Sequence, residues 1–311
     1  VTTEITDTKT LLLELEPVVE VNLNRHFATA KEWFPHEYIP WSQGTDYDGV
    51  LGGQAWTPDQ SKLSDVARTS LIVNLLTEDN LPSYHHEIAA LFGRDGAWGT
   101  WVHRWTAEEG RHGVAIRDYL TVTRAVDPIA LERARMVHMG GGFTSDYDGA
   151  IESIAYVSFQ ELATRVSHRN TGRISGDPVC DQLLAKVAAD ENLHMLFYRN
   201  LLAAAFQLAP NTAMRAITEV VKKFQMPGYT IENFGRKSVQ IALAGVYDLR
   251  IHHDEVIWPV LRQLGAMEAT GLSGDGEAAR EELVAYLRGL DEQATRFTER
   301  RDALNARKAA L

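Results

Sequence analysis

The chain has 311 residues, 45% of them hydrophobic and 23% charged, an ordinary globular composition. Its net charge of −11 works against nucleic acid as a partner, because phosphate binding needs a basic surface. Cys180 is the single cysteine, which excludes an internal disulfide, and no apolar run approaches the ~18–20 residues of a membrane helix.

The stretch Thr3–Lys9 is polar and lacks the apolar core of a secretory leader, so a cytoplasmic location is expected. Leu11, Leu12, Leu15, Val18, Val19 and Leu23 recur near the helical period and predict a first helix over 8–30, with Pro17 inside it. From Trp33 to Lys62, four glycines and three prolines interleave with aromatics. That segment reads as a long ordered loop. Helical patterning then returns over 63–92, 99–124, 128–138, 148–171, 177–207, 211–226, 236–247, 251–264 and 277–308, broken at glycine clusters. No alternating strand pattern of any length occurs. The expected fold is all-α, one domain over 1–311, with 277–311 as a peripheral C-terminal helix that is solvated or contacts a partner.

Two histidines have a glutamate three residues earlier: Glu109 with His112, and Glu191 with His194. On a helix, such residues share a face and can present a carboxylate and an imidazole to one ion. Eleven histidines in this chain give about one such pair by chance, so the spacing alone is weak. The surroundings strengthen it. Glu78 precedes Glu109 by 31 residues and Glu161 precedes Glu191 by 30, so a plan of helix with Glu, then helix with Glu-x-x-His, occurs twice. Four carboxylates and two imidazoles form the ligand set of a di-iron or di-manganese bundle. Glu161 lies in an otherwise apolar run, where a bare carboxylate is costly to bury. Pro82 cannot donate to the Glu78 carbonyl, so a kink is expected beside that carboxylate.

Several segments carry a resemblance to the soluble acyl-carrier-protein (ACP) desaturases, especially their actinobacterial branch. They are Thr77-Glu78-Asp79-Asn80-Leu81-Pro82, Trp105-Thr106-Ala107-Glu108-Glu109, Ser158-Phe159-Gln160-Glu161, Ser167-His168-Arg169-Asn170 and Ala189-Asp190-Glu191. The resemblance runs from about Leu11 to Pro259. It implies a ferritin-like four-helix bundle core with additional helices. It also implies two iron ions, with Glu78 and His112 on one, Glu161 and His194 on the other, and Glu109 and Glu191 bridging. Asp190 would accept a hydrogen bond from His112, Trp33 would continue that path toward the surface, and Thr164 would stand beside the oxygen-binding face. Leu91 and Ile154 are channel candidates by motif offset. The implied partners are acyl-ACP, a ferredoxin-type electron donor and a second copy in a homodimer. Gly110 departs from the family's common asparagine and puts local helix stability in question.

An acidic carrier protein needs a local basic patch on an acidic chain, and Arg215, Lys222 and Lys223, with Arg236 and Lys237 nearby, are the candidates. The pairs His85–His86 and His252–His253 read as surface histidines. Tyr119, Tyr147 and Tyr156 read as core or channel wall. A ribonucleotide reductase radical subunit is disfavoured by Ile116, where that family carries tyrosine. A related di-iron oxygenase or hydroxylase acting on another carrier-bound or free substrate is the open alternative.

Overall fold

The computed structural model describes residues 4, 5 and 7–309, apart from the side chains of 308 and 309. The start of the Thr3–Lys9 stretch and the last two residues of the 277–311 segment lie outside these. Twelve α-helices account for most of the described chain, and its one β feature is an isolated bridge between Tyr47 and Gln54. In order they are α1 (Thr8–Thr29), α2 (Asp65–Asp79), α3 (Leu81–Phe92), α4 (Gly96–Val122), α5 (Pro128–Gly141) and α6 (Ala150–Ile174). Then follow α7 (Pro178–Leu208), α8 (Pro210–Lys223), α9 (Phe234–Leu243), α10 (Leu249–Ile251), α11 (Trp258–Leu264) and α12 (Asp275–Ala309).

Local chemistry explains the boundaries. Asp7, Ser64, Asp127 and Asp177 each accept a backbone N–H in the first turn of the helix they precede, satisfying a donor the helix cannot. Pro128 and Pro178 stand at the first helical position, where the missing N–H costs nothing. Pro17 is accommodated within continuous α1. Pro82 has a larger effect than a kink. The helix ends at Asp79, Asn80 turns, and α3 begins again at Leu81.

The bundle is built from α2, α4, α6 and α7. Helices α6 and α7 pack along most of their lengths, while α1 lies against α7 and α4. The apolar interior falls into two clusters. One contains Val102 and Trp105 of α4 with Met195 and Phe197 of α7. The other contains Ala115 and Ile116 of α4 with Leu184 and Val187 of α7. Between these sets the two helices carry the buried polar residues Glu109, His112, Asp190, Glu191 and His194. A polar layer therefore divides two apolar halves.

The long loop is tied down by Arg124, itself buried and in the left-handed region at φ 52°. Its guanidinium donates to the carbonyls of Thr45, Asp46, Gln54 and Ala55 and lies 4.0 Å from the Tyr47 ring centroid. Helix α12 is not peripheral over its first half. Leu283, Leu287, Leu290 and Ala294 are buried against the rest of the chain, with α8 as the main neighbour. Their helical spacing on one face drives that docking.

Candidate metal centre

Glu78 comes from the end of α2, Glu109 and His112 from α4, Glu161 from α6, and Glu191 and His194 from α7. All six are buried. Their ligand atoms form two quartets, each with its atoms within 4.8 Å of one another: Glu78, Glu109, His112 and Glu191, then Glu109, Glu161, Glu191 and His194. Glu109 and Glu191 belong to both. The Nδ1 of His112 is 3.2 Å from Glu109 and 3.3 Å from Glu191. The Nδ1 of His194 is 2.7 Å from Glu109 and 3.6 Å from Glu161.

The outer nitrogens are held by acids. His112 Nε2 meets Asp190 at 3.4 Å, and Asp190 also accepts from Trp33 Nε1 at 2.7 Å, Arg111 at 3.2 Å and Lys186 at 2.9 Å. His194 Nε2 meets Glu108 at 2.9 Å, and the same oxygen of Glu108 is 2.9 Å from His26 Nε2. The arrangement crosses over. The acid preceding each Glu-x-x-His orients the histidine of the other one, a contact that with metal bound would fix the tautomer turning a bare Nδ1 to the centre. Glu108 and His26 were not legible as site residues, although Glu108 occupies the position in its motif that Asp190 occupies in the second. His168 was also missed in this role. Its Nε2 is hydrogen-bonded to Glu78 at 2.8 Å, and Trp105 Nε1 donates to Glu161 at 3.0 Å.

Burial, reinforced by the neighbouring Glu109 and Glu191, pushes the Glu78 and Glu161 carboxyls well above the usual range. Burial also opposes charge on Glu191, yet hydrogen bonds from His112 and His194 hold it well below that range. On both histidines burial disfavours the cation, but Glu109 and the flanking acids raise them well above an ordinary imidazole. The layer by itself thus needs protons to balance its charge. Glu109 Oε1, Glu161 Oε2 and His194 Nδ1 converge without well-aligned hydrogen bonds, the Nδ1 lying 2.7 Å from Glu109 Oε1 and 3.6 Å from Glu161 Oε2. Two divalent cations fit this donor set. They would displace the protons and take up these convergent oxygen and nitrogen lone pairs. Carboxylate oxygens with imidazole suit iron or manganese.

Beside the layer lies a cavity of about 290 Å³ whose wall includes Glu78, Glu109, Thr164 and Glu191. Leu81, Ile88, Leu91, Phe92, Trp105 and Val157 supply much of its apolar lining. A second cavity of about 80 Å³ shares Thr77, Glu78 and Thr164 with it. Leu91 is thus on the wall, whereas Ile154 is fully buried in the core and outside both linings. The offset from the motif gave its helix but not its rotation. Thr164 reaches the wall, with its hydroxyl donating to the Gln160 and Glu161 carbonyls of its own helix. Tyr147 and Tyr156 line the large cavity. Tyr119 lies in the second apolar cluster and donates to Asp177 at 2.5 Å.

The basic candidates on α8 are paired internally. Arg215 meets Asp275 at 3.4 Å, Lys222 meets Glu282, and Lys223 meets Glu219 at 2.8 Å. Lys237 is bonded to the Glu232 carbonyl. The second histidine pair is not at the surface as expected. His253 is buried, accepting from Trp258 Nε1 at 2.9 Å, and His252 bonds the Tyr247 hydroxyl at 2.8 Å within a π-helical turn over His252–Ile257. Burial draws the pair inward because α12 covers this turn. His85 is half-buried and bonds Thr106, and His86 is exposed.

An all-α bundle thus sets two buried carboxylate–histidine quartets that could hold metal ions beside an apolar cavity. The chain belongs to the fatty acid desaturase family, whose profile matches residues 7–310. DesA1 of Mycobacterium tuberculosis, provisionally named an acyl-ACP desaturase, is 55% identical over 295 residues, covering 92% of this chain and 87% of its own. The X-ray structure of DesA2 from M. tuberculosis H37Rv, also provisionally named an acyl-ACP desaturase, matches with a TM-score of 0.71 at 32% identity. It covers 82% of this chain and 95% of its own. The chloroplastic stearoyl-ACP 9-desaturase 6 of Arabidopsis thaliana is 31% identical over 289 residues, 87% of this chain and 71% of its own. No described helix is long and apolar enough to cross a membrane.

Proposed function

We propose that this chain introduces a cis double bond into an acyl chain carried on acyl carrier protein, using two iron ions, dioxygen and electrons from a ferredoxin-type donor. The observation that carries the reading is the juxtaposition of the two quartets with the apolar cavity. Glu78, Glu109 and Glu191 are members of the quartets and also line the cavity. In this reading Glu78 and His112 would hold one iron and Glu161 and His194 the other, with Glu109 and Glu191, common to the two quartets, available to both. Bound iron supplies the reductive activation of dioxygen. A homodimer in the cytoplasm belongs to the same reading.

The residues of the chain contribute position and exclusion. Leu81, Ile88, Leu91 and Phe92 from α3 face Trp105 and Val157 across the cavity and hold an alkyl chain by burial, at ~0.8 kcal/mol per methylene. This displaces water from the wall and brings a fixed pair of carbons to the metal layer, where orientation decides which bond reacts. The Tyr84 hydroxyl is buried on the wall without a partner, and burial raises its pKa well above the usual phenol value. Trp105 and His168 hold Glu161 and Glu78 from outside, so these carboxylates present a defined face.

The test is single turnover. Iron-loaded protein is reduced without oxygen, mixed with acyl-ACP, exposed to dioxygen, and the acyl product weighed by mass spectrometry. Loss of two hydrogens is the expected result. Gain of an oxygen atom, or iron oxidation with no acyl product, overturns it. Full activity in a metal-free Glu109→Ala protein overturns the ligand assignment.

A further inference from the structure

The two cavities beside the metal layer are limbs of one space with different boundaries. The smaller, of about 80 Å³, shares Thr77, Glu78 and Thr164 with the larger, of about 290 Å³, so they meet beside a residue of the first quartet. The larger limb reaches solvent. Exposed Ala90 and Asp148 are part of its wall, and so is half-buried Glu87, which accepts the Ser145 N–H at 3.3 Å. The smaller limb has no exposed residue in its lining, and Val73, Met226, Phe234 and Ile241 make much of it apolar. An enclosed apolar space admits a fixed number of carbons, because close packing penalises each atom beyond those that fit. A limb open to water sets no such number.

One side of the enclosed limb is a glycine. Gly228 is buried in the single turn Pro227–Thr230, which packs on α2. It is absent from the glycines with positive φ, so the backbone there does not call for glycine. Space does. A Cβ at 228 would stand 3.1 Å from Thr77 Oγ1, 3.1 Å from Ile231 Cδ1 and 3.5 Å from Phe234 Cε2. Thr77 is fixed by a hydrogen bond from its hydroxyl to the Val73 carbonyl at 3.0 Å, and Thr77 and Phe234 both line the limb. We propose that Gly228 is a specificity-determining residue. By carrying no side chain it keeps the enclosed limb open to the alkyl chain, and that limb counts the carbons on its own side of the metal layer. The inference rests on the desaturase reading, in which the reacting pair of carbons lies at the metal layer and the chain extends from it in both directions.

The experiment uses the full-length iron-loaded protein and a series of saturated acyl-ACPs of increasing length. For wild type, Gly228→Ala, Gly228→Val and Phe234→Ala, kcat/KM is measured at each length and the double bond is located by mass spectrometry. The two glycine substitutions fill the limb. Each methylene they exclude should lower kcat/KM about fourfold for the chains that occupied it. The remaining product should have fewer carbons between the double bond and the chain end on that side. Phe234→Ala enlarges the limb and should move both readouts the other way. Thermal melts and iron content check that the fold and the metal layer persist; if Gly228→Val does not fold, Gly228→Ala and Phe234→Ala decide. Folded, iron-loaded variants with the wild-type length profile and double-bond position overturn the proposal. So does a uniform loss at every length, which would make Gly228 a packing residue of its turn. The wild type reads the desaturase assignment separately. Absence of product at every length fails that reading and takes the inference with it, whereas wild-type product with unchanged variant profiles fails the inference alone.

Discussion

The two histidines of the centre have the same inner environment and different outer ones. His194 backs onto Glu108 and His26, and His26 stacks at 5.9 Å from His194 and edge-on to Trp101 at 5.1 Å. Arg104 of the same helix as Glu108 closes this side, pairing with its other oxygen. His112 backs onto Asp190, where Trp33 lies 6.5 Å away, nearly parallel to the imidazole, and Arg111 and Lys186 sit over the indole. Beyond them is a surface groove lined by Asp190 together with Lys31, Arg165, Arg169, Arg173 and Lys186. One side is thus sealed by its own arginine, and the other is lined with cations that leave charge to spare. A near-symmetric ligand set acquires direction from residues that never touch the metal position.

Metal removal strikes both sides at once and gives the largest effect. Stripping iron held at a thousandfold its dissociation constant should cost ~4 kcal/mol of stability, read as a fall in melting temperature. Equal melting of loaded and stripped protein would show that neither quartet binds. Next come the acids that distinguish the sides. Asp190→Ala and Glu108→Ala should each weaken metal binding by ~10–100-fold, measured by competition with a chromophoric chelator. Only Asp190→Ala should also slow reduction by the protein donor. Equal slowing in both variants would remove the asymmetry.

Trp33→Phe sharpens the same comparison. It deletes one charge-assisted hydrogen bond to Asp190 and should cost ~1.5–3 kcal/mol in denaturant melts, while the His26 bond to Glu108 on the other side stays intact. Gly110 tests the framework between the two. A Cβ there would meet only the Leu81 side chain at 3.8 Å, so Gly110→Ala should stabilise by up to ~1 kcal/mol with the metal content unchanged. Destabilisation would mean that α3 cannot give way beside α4.

Cys180 is a control far from both sides. Burial, first among the causes, pushes its thiol from the ordinary 9.0 to about 12. The stability conferred by the protonated thiol is therefore complete below the unfolded value and is lost as pH rises from there toward about 12. Alkylation of Cys180 at neutral pH should occur only on unfolding. Rapid labelling of the native protein would contradict this burial.

The all-α architecture, most helix limits and the two Glu-x-x-His pairs were legible because each rests on local rules: period, caps, proline and spacing. The break after Asp79 followed from Pro82, though as a full interruption. Residues whose roles depend on helix rotation were not legible. Leu91 reaches the cavity and Ile154 does not, at positions the sequence treats alike. His26, on the first helix, is 82 residues from the Glu108 it bonds, and no spacing rule spans that gap. The basic patch was sought on α8, where Lys222 and Lys223 are adjacent in sequence. The side chains there are paired with acids of α12 and α8 itself.

The 42 acidic and 11 histidine residues of the chain thus separate into two kinds of information. By itself the sequence determined which helices form and that six of those residues recur on one plan, because helix geometry puts fixed spacings on one face. Only the tertiary structure decided that the plan closes into two quartets sharing two carboxylates, and that the acid beside each pair serves the opposite histidine. It also decided that three arginines, unremarkable along the chain, share one groove with Asp190. These depend on how helices rotate and cross when they bury their apolar faces, and residues far apart in sequence set that jointly.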